Sequence, residues 1–331
     1  MKVRRFFALA ALVSLSSLAA PLRTSQVAAD ARWLMHWDFE AFLKSKVGES
    51  VKQKWADDGL PGVLGGLKPF LATQSLDDLK GVTLYGSQVE KDGAAILIDA
   101  AYNESGVLAD WSAKPGYKTS KHGTHLLHEW VDGVVPGADG QPMAFACLCG
   151  KDSVVVARSK ETLTNALDVI DGRASRLRLG TGLAKVSSAG NAYLTVRAER
   201  LELPKEQVDQ NNQQQAALLQ SIATMGFDVS ESDEHVHADF SAVADSVESA
   251  QQVQQFIQGI LMLVMFQAQQ VPELMQVIQG TQVALAGKTV TMAIKLPVIA
   301  ATKILAKPGK AAQGMQFLRG SPAAPQPSPW E

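Results

Sequence analysis

Cysteine is nearly absent: Cys147 and Cys149 are the two thiols among 331 residues. A disulfide framework is therefore excluded, and stability has to come from a packed core. In MAFACLCGKD the pair sits two apart on what reads as a strand. Side chains at that spacing share a face but splay, so a bridge between them would be strained. Two small buried hydrophobes are the expectation; a surface thiol or a soft-metal pair is the alternative.

Basic charge is also in short supply. The net charge is -2, and proteins that hold a phosphate backbone need a basic face, which argues against nucleic acid as a partner. Apolar runs long enough to span a bilayer are missing too: residues 6–20 and 256–266 both fall short of the required length. Signatures of nucleophilic catalysis are lacking, since G-x-S-x-G, S-x-x-K and C-x-x-C do not occur. Gly180 and Gly182 begin like a dinucleotide loop but no third glycine follows. Asp57-Asp58 and Asp77-Asp78 are adjacent carboxylates, which face apart and suit capping or solvation better than acid–base work.

What is present starts with an export signal. MKVRRFFALAALVSLSSLAA has a basic start (Lys2, Arg4, Arg5), then an apolar run and small residues. Cleavage can fall after Ala19 or after Ala29; Val27-Ala28-Ala29 has the small-residue pattern and leaves Asp30 first, which favours Ala29. An uncleaved anchor is the alternative. Removing Lys2, Arg4, Arg5 and Arg23 takes the net charge from -2 to about -6. The exported chain is periplasmic or secreted, and after cleavage it is not an integral membrane protein.

Periodicity supplies the elements. ARWLMHWDFEAF reads as a strand, then a helix capped by Asp38 with Phe39, Phe42, Leu43, Val47 and Val51 on one face. Two strands follow around Asp92-Gly93, a hairpin signal, then a helix over 103–111. KHGTHLLHEWVDG holds three of the six histidines. As a helix it would bring His122, His125 and His128 near one metal; as strands around His122-Gly123 it cannot, because His125 and His128 then point to opposite faces. Gly123 and the short runs favour the hairpin. His128-Glu129 also lacks the second histidine of HExxH, because position 132 is aspartate. MAFACLC and SVVVA make a further hairpin, and Ser159 caps a helix over 160–170 with Leu163, Ala166, Leu167 and Ile170 inward.

The second half repeats this plan: NAYLTVRAERLEL as a strand, a Gln-rich helix, a hairpin through HVHADF, a long helix over 245–270, and a last hairpin in TQVALAGKTVTMAIKL. Setting Gly86 on Gly226 places Asp99 on Asp239, and setting CLCGKDSVVVA on ALAGKTVTMAI matches Gly150-Lys151 with Gly287-Lys288. The expected organisation is a signal peptide over 1–29, an α+β module over 30–172, a linker over 173–190, a duplicated α+β module over 191–307, and a disordered Pro-rich tail over 308–331. Each module is expected to be an antiparallel β-sheet with helices packed on one face.

Two candidate sites remain. His235, His237 and Asp239 share a strand face and offer a donor set suited to zinc, copper or nickel; the alternative is the solvated side of a sheet. In the long helix, Phe256, Ile260, Met262, Leu263, Met265 and Phe266 give an apolar, Met-rich surface for a protein partner or an apolar ligand; the alternative is a helix buried between sheet and neighbour. No cofactor is expected.

ARWLMHWDFEAF, SVVVARSKETLTNALDVIDG and the long second-half helix together resemble a group of exported bacterial proteins of unknown function whose mature chains begin with a tryptophan-bearing strand. The likeness covers most of the mature chain. It implies an architecture and an exported address, and it brings no active-site residues. The expectation is a non-catalytic exported protein that binds a protein partner or forms part of an envelope assembly. A carrier of an apolar ligand or lipid comes second, and a hydrolase without a recognisable motif third.

Overall fold

Residues 20–58, 68–71, 75–88, 93–132, 143–178, 183, 191–200, 213–268 and 272–306 are described by a computed structural model. Alternation of buried and half-buried side chains builds the first strand, β1 (Trp33–Asp38), with Leu34, His36 and Asp38 inward. Asp38 then turns the chain into α1 (Phe39–Lys44) by accepting the Ala41 N–H at 2.8 Å. The helix expected to continue breaks at Ser45, which is extended and caps α2 (Lys46–Asp58) by accepting the Gly48 N–H at 3.0 Å. Gly48 is required there, since a Cβ would stand 1.9 Å from the Phe42 carbonyl oxygen.

After α3 (Lys68–Leu71) come β2 (Leu79–Gly86), β3 (Ala94–Ala100) and α4 (Glu104–Ser112), the last capped by Asn103 as its sequence position requires. A hairpin of β4 (Lys118–His122) and β5 (His125–Val131) precedes β6 (Met143–Leu148), β7 (Ser153–Ala157) and α5 (Lys160–Ile170). The second run contains β8 (Leu194–Glu199), α6 (Gln213–Gln220), β9 (Ile222–Ser232), β10 (His235–Ala244) and α7 (Val247–Ala268). It ends with α8 (Pro272–Gln279), β11 (Thr281–Ala286), β12 (Thr289–Pro297) and α9 (Val298–Ala306). Periodicity alone had not separated α8 and α9 from their surroundings.

The class is α+β with antiparallel pairing, and the two runs share a single sheet of order β11-β12-β10-β9-β8-β1-β2-β3-β7-β6-β5-β4. Its seam is the β1–β8 pair, Trp33 opposite Ala198 through Trp37 opposite Leu194. Strand β2 occupies only one edge of β1, so the other edge still has unpaired N–H and C=O groups, and β8 satisfies them. Counted outward from the seam, β1-β2-β3-β7-β6 mirrors β8-β9-β10-β12-β11, with β5 and β4 added on one side. Register does not follow the ungapped correspondence of residues: Gly86 faces Ala94, whereas Gly226 faces Ser241.

Helices cover both faces of the first run, where one had been expected. On one face, α1, α2, α4 and α9 close over Val82, Ile98, Val154, Val156 and Trp130. On the other, α5 and Val27, Ala28 and Ala31 close over Leu34, Tyr85, Leu97, Cys147 and Val155. The cause is in β7, where four consecutive residues, Val154 to Ala157, are buried, so neither face can stay in water. Burying each larger aliphatic side chain contributes about 1.5–3 kcal/mol. A smaller third cluster joins α7 to Ile222, Ala242, Ala244 and Val290.

Two expected boundaries fall inside packed chain. Ala28 forms a bridge with Arg176, the Leu177 N–H donates to the Val27 carbonyl at 2.8 Å, and the Ala29 N–H to Ser175 at 3.0 Å. Val27, Ala28, Leu177 and Leu183 are all buried. Val27 and Ala28, and Leu177 and Leu183 of the 173–190 stretch, therefore belong to the core of the first run. The Pro-rich tail lies outside the described residues.

Candidate functional site

Gly123, at φ 58, turns β4 into β5. A side chain there would press on the Arg173 guanidinium, 3.2 Å from the Cβ position. Arg173, just past the end of α5, bonds Asp168 and Asp171, each at 2.7 Å, and the hairpin reaches the same two carboxylates through its histidines. His122 Nε2 meets Asp168 at 2.8 Å, and His125 Nε2 meets Asp171 at 2.9 and 3.1 Å. The His122 bond, reinforced by Arg173, holds the Asp168 carboxyl below its usual range. His128 points to the opposite face, as its odd spacing from His125 demands. There it lies edge-on to Trp111 at 5.1 Å and within 2.8 Å of the Tyr117 hydroxyl, and burial lowers its pKa. His122 and His125 thus meet one carboxylate–arginine network, and His128 lies apart from it on the other face.

Beside His125 lie both cysteines, which are free. Cys147 is buried and Cys149 half-buried. Their sulfurs are 3.6 Å apart, and His125 Nδ1 is 3.7 Å from the Cys147 sulfur. The donor atoms of all three side chains lie within 4.8 Å of one another. The splay expected of two strand residues does not apply, because β6 ends at Leu148 and the turn at Gly150, with φ 80, begins right after Cys149. The Cys149 thiol donates to the Cys147 sulfur, which lowers the Cys147 pKa against burial and the Asp171 charge. The same bond, burial and the charges of Cys147 and Asp171 raise that of Cys149. Sequence spacing could not join His125 to the thiols; only the β5–β6 pairing does so.

His235, His237 and Asp239 lie together along β10. The His235 ring is turned toward the Asp233 carbonyl, 2.6 Å from Nδ1, and its centroid stands 6.4 Å from that of His237. Asp239 is exposed and sits opposite Asp228 on β9. Asp228 is already committed: Arg197 grips it in two bonds of 2.7 and 2.9 Å, and Thr195 donates to it at 2.9 Å. Asp228 is thus buried and held by three bonds from two side chains, while Asp239 opposite it is exposed. The buried Arg197–Asp228 pair had no separate signal in the sequence.

Helix α7 packs Ala250, Val253 and Ile257 on the second run of the sheet. From Ile260 to Phe266 it is apolar on every side. Ile260 is half-buried, but Phe256, Met262, Leu263, Met265 and Phe266 are 40–67% exposed. Gly259 has open space around it. A small cavity lined by Ala198, Arg200, Leu219, Ile222 and Met225 has a volume of about 10 Å³. That holds about one water and no acyl chain. Among the described residues, no helix is long and apolar enough to cross a membrane.

No protein family matches the chain, and no curated protein matches it. Among solved structures, crystal form III of TP0453 is similar at a TM-score of 0.47 and 8% identity, covering 87% of this chain and 99% of that one. Crystal form I of TP0453 gives 0.46 and 9%, covering 87% and 98%. No functional property follows from likeness at this level.

Proposed function

We propose that this is an exported, non-catalytic protein that docks a protein partner through the C-terminal half of α7. One observation carries the reading: a helix apolar on all sides is normally buried on all sides, yet five large apolar residues here face water. Charge favours protein over an anionic membrane surface, because Glu248 is the one charged residue of α7 and interfacial helices that bind such membranes carry Lys and Arg. The neighbouring sheet edge adds to this. Edge strand β11, TQVALA, carries neither charge nor proline, whereas the opposite edge, β4, carries Lys118 and Lys121. Export follows from the N-terminal sequence, and the packing of Val27 and Ala28 favours cleavage after Ala19 over Ala29.

The test is a photo-crosslinking residue placed at Met262 or Phe266 in the producing cells, with Thr119 on the far edge as control. The expected result is one discrete protein adduct from both helix positions and none from Thr119. Adducts only to lipid, or equal labelling from Thr119, would refute docking of a protein. Lipid carried through purification in a fixed ratio would move the reading to the carrier.

A further inference from the structure

We infer that His125, Cys147 and Cys149 form a binding site for a soft d10 metal cation, and that the cation is Cu(I). The spacing is the first argument. Ligands held about 2.0–2.3 Å from a common ion at trigonal to tetrahedral angles stand roughly 3.5–4 Å from each other. The sulfur–sulfur distance is 3.6 Å and the Cys147–His125 distance 3.7 Å. A disulfide needs the sulfurs at about 2.0 Å, so at 3.6 Å the two are free thiols, at a spacing that also suits two ligands of one ion.

A second argument comes from the far side of the imidazole. Metal-bound histidines typically give their other ring N–H to a carboxylate, which fixes the tautomer and aims the free nitrogen. His125 Nε2 lies 2.9 Å from Asp171, and Asp171 is itself anchored by Arg173 at 2.7 Å. With the proton on Nε2, the Nδ1 lone pair faces the thiols. The three ligands sit on adjacent strands, β5 and β6, or just past their ends, and the buried Cys147 is reached through the half-buried His125 and Cys149.

The donor set selects the ion. Two thiolates and an imidazole are soft, which favours Cu(I) or zinc over calcium, magnesium or manganese. Zinc held by two cysteines and one histidine fills its fourth position with water, whereas Cu(I) is satisfied by these three side chains alone, and that is the ground for choosing it. Binding displaces the thiol protons, so uptake releases acid.

The experiment titrates the reduced full chain anaerobically with Cu(I) against a chromophoric copper chelator, and separately with zinc. The expected result is one equivalent of Cu(I), with sulfur and nitrogen neighbours in the X-ray absorption spectrum. Cys149→Ser and His125→Gln should abolish it, while Asp171→Asn should weaken it about 10–100-fold. The double variant His235→Gln/His237→Gln should bind as the parent does. Cys149 and His125 are only partly buried, so their variants keep the test independent of folding. No stoichiometric uptake, or uptake that survives Cys149→Ser, overturns the site. A reduced chain that takes zinc and refuses Cu(I) overturns the choice of ion. A chain that loses two hydrogens to an internal disulfide and then holds no ion under re-reduction also overturns it.

Discussion

Arg197→Met is the substitution whose cost can be worked most directly from the structure. The guanidinium is 3% exposed and its partner Asp228 9% exposed. Besides Asp228, Arg197 donates to the Val196 carbonyl at 2.7 Å and the Phe227 carbonyl at 3.2 Å. Methionine fills much of the same volume but strands the Asp228 carboxylate, which retains only the Thr195 hydroxyl among these contacts. Breaking one side of a buried pair typically costs about 3–5 kcal/mol. With a urea m-value of about 2–3 kcal/mol/M, that loss lowers the unfolding midpoint by about 1–2.5 M. The double variant Arg197→Met/Asp228→Leu removes both charges. It should recover most of the loss, because apolar replacement of a whole buried pair is often neutral or stabilising by about 1–4 kcal/mol. Urea unfolding of the four chains of this cycle checks both statements. If Arg197→Met costs under about 1 kcal/mol, or if the double variant is as weak as the sum of the singles, the pair is not the isolated buried charge interaction described here.

Stability should also fall on the acid side of neutrality. Burial, the largest influence, holds His36 below its ordinary 6.5, against a bond to the Ala20 carbonyl; burial does the same to His128. The unfolded chain therefore takes up protons first, so the contribution is complete above pH 6.5 and is lost as the pH falls through the lower folded-state values. Urea midpoints between pH 7.5 and 5 should drop, and His36→Gln or His128→Gln should each flatten the slope; unchanged slopes would refute the assignment. The N-terminus gives another check. Mass spectrometry of the exported chain should show Ala20 as the first residue, and Val27→Ala should cost about 2 kcal/mol or more, because Val27 is fully buried. A stable exported chain that begins at Asp30 would show that the Val27–Leu177 packing is dispensable.

Sequence by itself determined what depends on neighbours in the chain. Asp38 and Ser159 cap their helices because a cap is a bond to a residue three positions on. The opposite aim of His125 and His128 follows from the period of a strand, and the apolar surface of α7 from its composition. Local reasoning failed where a long-range contact decided. Ser45 breaks the first helix so that Gly48 can lie against Phe42, and Val27, read as part of a cleavage site, is core because α5 and Leu177 cover it. The strand order mirrors about the β1–β8 seam, whereas the hairpin registers do not preserve the residue correspondences. Both polar clusters are likewise products of tertiary structure. Arg197 meets Asp228 across β8 and β9, and His125 meets the thiols across β5 and β6. Strand pairing joins residues that are remote in sequence, and no periodicity records which strand will be the neighbour.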